Sequence, residues 1–146
     1  MICKTVKYKD FFGNDRKDEL YFHLSKHELI DLHFDIGGQE GDYQTAINNL
    51  IASDNRQEMI GILTGIMMAS YGERSEDGRS FLKEDIDGHK LANKFKQMAA
   101  FDILYTELLS SEDVLMEFII GIMPEDLQAE ARGEASKLTA ELTRVK

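Results

Sequence analysis

The sequence predicts an α+β fold, mainly α: a small N-terminal antiparallel β element followed by a bundle of five or six helices. Three observations carry this. Two short N-terminal segments, TVKYKDFF and ELYFHL, alternate apolar and polar residues on either side of a turn-rich GNDRKD. Ser25 and Glu28 have the S-x-x-E spacing that satisfies two free donors at a helix start. From there on, apolar residues recur at three- and four-residue intervals.

The β pair places Val6 and Tyr8 on one strand and Leu20, Phe22 and Leu24 on the other, over about residues 3–24. A helix then begins at Ser25, with Leu24 and Leu29 at the positions of a hydrophobic staple. It is expected to run to about Asp35, because Gly37 and Gly38 cannot continue it cheaply and GGQEGD reads as a connector. Asp42 caps a second helix whose stripe is Tyr43, Ala46, Ile47, Leu50 and Ile51, and SDN closes it. A third helix, about Arg56 to Ser70, carries Met59, Ile60, Leu63, Ile66 and Met67 on one face, widened by Ile62. A long fourth helix, about Gly88 to Leu109, follows from Leu91, Phe95, Met98, Phe101, Tyr105 and Leu108. Ser110 or Ser111 caps a fifth, striped by Val114, Leu115, Phe118, Ile119 and Ile122. Pro124, the only proline, suits the first turn of a short helix through PEDLQAEA. One globular domain over 1–132 is expected, with its helical part over 25–132 and a marginally ordered tail over 133–146.

Composition narrows the class of function. Hydrophobic content of 42% and charged content of 30% describe a soluble globular chain, and no apolar run approaches the ~20 residues of a membrane helix. MICKTVKYKD lacks the apolar stretch of a signal peptide, and one cysteine, Cys3, permits no internal disulfide, so a reducing compartment is expected. The formal net charge is -10, and from Gln97 to Ala131 there are eight carboxylates and no Lys or Arg. Such a segment repels a phosphate backbone, which argues against nucleic-acid binding.

Catalytic and metal chemistry is not expected, and neither is a cofactor. His23 and His27 have helical i, i+4 spacing, but the helix start at Ser25 falls between them. There is no H-E-x-x-H, C-x-x-C or G-x-S-x-G, and the glycine-rich stretches match neither the P-loop nor the dinucleotide spacing. Asp85 and Asp87 hint at calcium, yet Gly88 directly follows the second acid, which breaks the EF-hand pattern. YGERSEDGRSFLKEDIDGHK, residues 71–90, is left as a surface loop; its Phe81 either pins the loop to the core or touches a partner, the first being the more common arrangement. The segment from Phe101 to Met123 is dense in Phe, Leu, Ile and Met, with acids and no bases. That composition suits either a core or a groove for an apolar or basic helix, and Met59, Met67, Met68, Met98, Met116 and Met123 add adaptability.

Three blocks in order, CKTVKYKDFFGNDRKDELYFHLSKHELIDL, YGERSEDGRSFLKE and FKQMAAFDILYTELLSSEDVLMEFIIGIMPEDL, resemble the tail assembly chaperones of long-tailed, siphovirus-type bacteriophages. The likeness runs from about Cys3 to Leu127 and rests on Tyr71-Gly72, Ser80-Phe81, Phe95, Phe101, Leu108, Phe118, Ile119, Gly121 and Pro124. It departs at Ala100-Phe101, where the family pattern has an Ala-Tyr pair, and after Gln128.

The resemblance implies a non-enzymatic protein of the infected host's cytoplasm, absent from the mature virion. It would bind the tape measure protein, a very long and largely helical chain, and keep it soluble while tail tube subunits polymerise around it. Self-association along that client and contact with the tail tube protein would follow, and several such families also make a longer frameshifted form. The groove residues expected to meet the client are Phe101, Leu104, Tyr105, Leu108, Phe118 and Ile122, with Phe81 as a further loop contact. The competing class is a small acidic regulator, a DNA mimic or an inhibitor of a basic host protein, whose binding would collapse with salt.

Overall fold

In the computed structural model, which describes residues 1–36, 39–52, 55–129 and 131–132, the N-terminal alternation forms an antiparallel hairpin of β1 (Ile2–Lys9) and β2 (Asp15–Phe22). The register pairs Ile2 with Phe22 and Lys9 with Asp15. Val6, Leu20 and Phe22 face the core. On the solvent face Lys7 lies directly opposite Lys17, and both are exposed. Opposed like charges destabilise a strand pair by about 0.2–1 kcal/mol. Asp10 closes the turn: its Oδ1 accepts from the N–H of Phe12 at 3.0 Å and of Asn14 at 2.9 Å. Gly13 supplies the left-handed backbone at φ +85° that this turn needs.

The capping box forms as the sequence requires. Ser25 Oγ accepts from Glu28 N–H at 3.1 Å, and Glu28 Oε1 accepts from Ser25 N–H at 3.0 Å. The helix it starts, α1 (Lys26–Asp31), is shorter than expected, because Leu32 is extended and Phe34–Ile36 become strand β3, paired with β4 (Gln39–Gly41). Phe34 is drawn onto the next layer, where the missing side chain of Gly65 leaves room for its ring. Gly37, Gly38 and the expected 133–146 tail lie outside the described residues, as do Ser53 and Asp54 of the SDN stop.

Asp42 caps α2 (Tyr43–Ala52), its Oδ1 accepting from Thr45 N–H at 2.8 Å, and Tyr43, Ala46, Ile47 and Leu50 are buried. In α3 (Arg56–Ser70) the buried face is Ile62, Leu63, Ile66, Met67 and Ser70. Ile60 therefore leaves the expected stripe, at 38% exposed, and Ile62 sits near its centre.

Residues 71–90 are not the plain loop that their composition suggests. Tyr71–Arg74 form β5 and Phe81–Leu82 form β6, extending the first hairpin into a four-stranded sheet of order β1-β2-β5-β6. The pairing of β5 with β6 brings backbones so close at Gly72 that a Cβ there would lie 2.5 Å from the Leu82 carbonyl oxygen and 2.6 Å from the Phe81 ring. Phe81 is thus pinned at the sheet edge, half-buried.

The single long helix expected over 88–109 is two. α4 (Leu91–Lys96) and α5 (Ala99–Ser110) are separated by a bend at Gln97–Met98, where Met98 is extended (φ -81°, ψ 146°). The stripe runs unbroken across the bend, so no Gly, Pro or capping side chain announces it. The bend lets α4 pack on β5 and α3 while α5 packs on β1. α6 (Glu112–Gly121) follows, and Gly121 admits Ile2, whose side chain would lie 2.7 Å from a Cβ there. Pro124 then opens the helical residues 125–129, its carbonyl accepting from Leu127 and Gln128.

Phe22 sits at the centre of these layers. Its ring meets Tyr71, Phe95 and Phe118 edge-on, with centroids at 5.8, 5.7 and 5.1 Å, and it is fully buried. Phe22→Ala should cost about 3–5 kcal/mol, read as a lower urea midpoint, whereas Val6→Ala, which removes far fewer buried atoms, should cost less than half as much. Equal losses at the two positions would contradict this ordering.

Candidate functional site

The segment expected to form a partner groove lies largely in the core. Phe101, Leu104, Leu108, Phe118 and Ile122 are buried, and of the six only Tyr105 is half-buried, stacked on Phe101 at 6.0 Å. This corrects the expected groove, because α5 turns this stripe toward β1 and α6 and leaves its other face to solvent. Met67 is wholly buried, while Met59, Met68, Met98, Met116 and Met123 are half-buried at the core's edge.

A groove with an apolar floor opens elsewhere. It has a volume of about 560 Å³ and lies between α1, α3 and α4, with a floor of Leu32, Gly65, Met68, Ala69 and Ala92. Its rim carries both signs of charge: Glu28, Asp31 and Glu84 against Lys83 and Lys90, with His27 and Asn93 beside them. A larger depression of about 710 Å³ between β2 and α4 has a chiefly polar exposed lining. Sequence reasoning missed the groove because its floor comes from three helices far apart in the chain.

One wall of the groove is a charged clasp. The capping box fixes Glu28, and Lys83 reaches it at 3.1 Å while donating to the carbonyls of His23, at 2.7 Å, and Ala69. Lys83 thereby ties the edge of the sheet to the ends of β2 and α3. Burial pulls the Lys83 ammonium below the usual lysine range, against the raising effect of Glu28. Burial pushes the Glu28 carboxyl up, but the Ser25 backbone N–H and the Lys83 charge outweigh it, and Glu28 lies below its ordinary value. His23 lies edge-on to Phe81 at 5.8 Å, and its buried Nδ1 has no hydrogen-bond partner among the described residues. Burial, the N-terminal ammonium and Lys83 all lower its pKa.

The histidines do not assemble the ligand pair that their spacing evokes. His27 is exposed and bonded to Asp31 at 3.1 Å, whereas His23 belongs to the extended chain after β2. Asp85, Asp87 and His89 bring ligand atoms within 4.8 Å of one another, but all three are exposed. Asp85 Oδ1 already accepts from the N–H groups of Asp87 and His89, the same turn-closing arrangement that Asp10 makes. This cluster builds a turn.

Lys83→Met should lower stability by about 2 kcal/mol, because it strands two carbonyls, while the partly exposed ion pair adds little. Stability should also fall on acidification in two steps. His23, whose folded pKa is depressed, disfavours protonation in the fold, so its loss begins below about pH 6.5. Glu28, also depressed, stabilises fully above its unfolded value of about 4.3 and loses that contribution as pH falls through the lower folded value. Glu28→Gln should flatten the lower step in urea titrations run at successive pH values and leave the upper step at least as large, because the Glu28 charge raises the His23 pKa and its loss depresses that group further.

Among the described residues no helix is long and apolar enough to cross a membrane. No curated protein and no solved structure shows significant similarity to the chain. A family model described as phage tail assembly chaperone, however, matches residues 1–145, nearly the whole sequence. Of the residues that carry the resemblance, several prove to be architectural: Tyr71, Phe95 and Phe118 surround Phe22, and Gly72 and Gly121 permit close approaches of packed elements. The chain belongs to the phage tail assembly chaperone family.

Proposed function

We propose that this chaperone binds the tape measure protein of its phage and keeps that long helical chain soluble while the tail tube assembles. The observation that carries the reading is the groove between α1, α3 and α4, with an apolar floor and a rim of both charge signs. An amphipathic helix laid in such a groove buries its apolar face on Leu32, Met68 and Ala92 and leaves its charged flanks to the rim. Half-buried Met68 allows the floor to repack around successive client segments. The formal charge of -10 then keeps the loaded complex from aggregating.

A long client offers many such segments, so several copies act together, and self-association along it converts weak contacts into stable coverage through effective concentration. The work takes place in the cytoplasm of the infected host. The copies leave as tail tube protein replaces them, so they are absent from the finished virion. Phe81 and Tyr105, both half-buried, remain in reach of a partner.

Co-expression with the tape measure protein should hold the client in the soluble fraction, co-eluting with multiple copies of the chaperone. The complex should survive a rise from about 0.1 to 1 M salt, over which the Debye length falls from about 10 to about 3 Å. Asn93→Arg, at an exposed position on the groove wall, should reduce client recovery at least tenfold with unchanged circular dichroism. A client left insoluble by well-folded protein would overturn the reading, and a complex dispersed by salt would favour the acidic regulator.

A further inference from the structure

The hairpin turn at residues 10–14 presents two aromatic rings to water. Phe11 is 85% exposed and Phe12 91% exposed. The turn is held firmly beneath them: Asp10 accepts from two backbone N–H groups, pairs with Arg16 at 2.8 Å, and Gly13 closes the bend. Turn positions favour Gly, Asn, Asp and Ser, so nothing in the turn itself calls for two phenylalanines.

The strands below the tip are basic. From Met1 to Lys17 there are five Lys or Arg residues and two acids, in a chain whose formal net charge is -10. Lys7, Lys9, Arg16 and Lys17 line a shallow depression of about 540 Å³ with Tyr8 and Asp15. The directly opposed Lys7 and Lys17 weaken the hairpin, and neither forms an ion pair among the described residues. A partner that brings carboxylates would relieve that repulsion.

A complementary surface lies on the same molecule. At the junction of α5 and α6 is a cavity of about 260 Å³ whose apolar lining is Leu50, Met59, Leu108, Leu109, Leu115 and Met116. Its remaining lining is Ser111 and Glu112, the latter its one charged residue. The surrounding segment, from Gln97 to Ala131, has eight carboxylates and no Lys or Arg. A cavity of about 150 Å³ already admits a benzene-sized ring, so this one has room for a phenylalanine side chain and not for a helix.

We propose that the Phe11–Phe12 tip of one copy docks in the α5–α6 cavity of a second copy, beside Glu112. Lys7, Lys9 and Lys17 then face the acidic helices of that neighbour. The contact is heterologous: each copy offers both a tip and a cavity, so association can continue head to tail. It rests on the self-association proposed above and assigns it a surface separate from the client groove.

Sedimentation velocity of the chain alone, over a range of concentrations, tests this without the client. The wild type should form species beyond a dimer. Phe11→Ser/Phe12→Ser should stay monomeric with an unchanged thermal melt, as should Glu112→Lys with its fold confirmed by circular dichroism. An equimolar mixture of these two variants should stop at a dimer, since only one tip and one cavity remain between them. Lys17→Glu is the second discriminating variant: placed opposite Lys7, it should raise the melting temperature while weakening association at least tenfold. A monomeric wild type, association unaffected by either tip or cavity variant, or a mixture that remains monomeric would each overturn the proposal. Any of these results leaves client solubilisation to be decided separately by co-expression.

Discussion

The packing of Phe22 is the constraint on which the other layers depend. It is the last residue of β2, and the two residues after it leave the sheet to bond elsewhere. His23 N–H donates to the Ser70 carbonyl at the end of α3, and Leu24 N–H donates to the Ile122 carbonyl just past α6. Those carbonyls belong to helix ends that have no intrahelical partner for them. One tripeptide thus fills the aromatic centre and satisfies the termini of two helices far apart in the chain. Tyr71 stacks on Phe95 at 4.3 Å on one side, and Phe95 meets Phe101 on the other, so the same cluster spans the α4–α5 bend.

The sheet edge is fastened differently. β6 is two residues long and would be a poor strand alone. Lys83 follows it and anchors it through two carbonyls and Glu28, and Leu91 N–H returns to the Lys83 carbonyl at 2.9 Å to begin the next helix. A partly buried charge is tolerated because its donors are used, and the clasp forms a firm wall for a groove whose floor is otherwise adaptable. Rigid wall and adaptable floor suit the client binding proposed for this groove, since an adaptable surface can repack around different segments.

Membership in the tail assembly chaperone family and the location of a binding surface were not equally readable. The residues bearing the resemblance, among them Phe95, Phe118, Gly72 and Gly121, serve the packing of the domain. A pattern of core residues identifies a fold and with it a family, but core residues are hidden from partners. Phe101, Leu104, Leu108, Phe118 and Ile122 invited assignment as a groove for the same reason that they fill the core: both environments select large apolar side chains at helical spacing.

The sequence by itself determined the local structure. Alternation specified β1 and β2, the Ser25–Glu28 box and Asp42 specified helix starts, and Pro124 specified the last turn, because each signal acts within a few residues. The stop of α1 before β3, the strands within 71–90 and the bend at Gln97–Met98 were decided by tertiary structure. In each case the deciding partner is distant in sequence: Gly65 for Phe34, Tyr21 and Phe22 for β5, and β1 for α5. Local propensity sets where a helix can begin, but a helix continues or yields to a strand according to which apolar face is available to cover it. That choice also decides which side chains are left exposed to meet a partner.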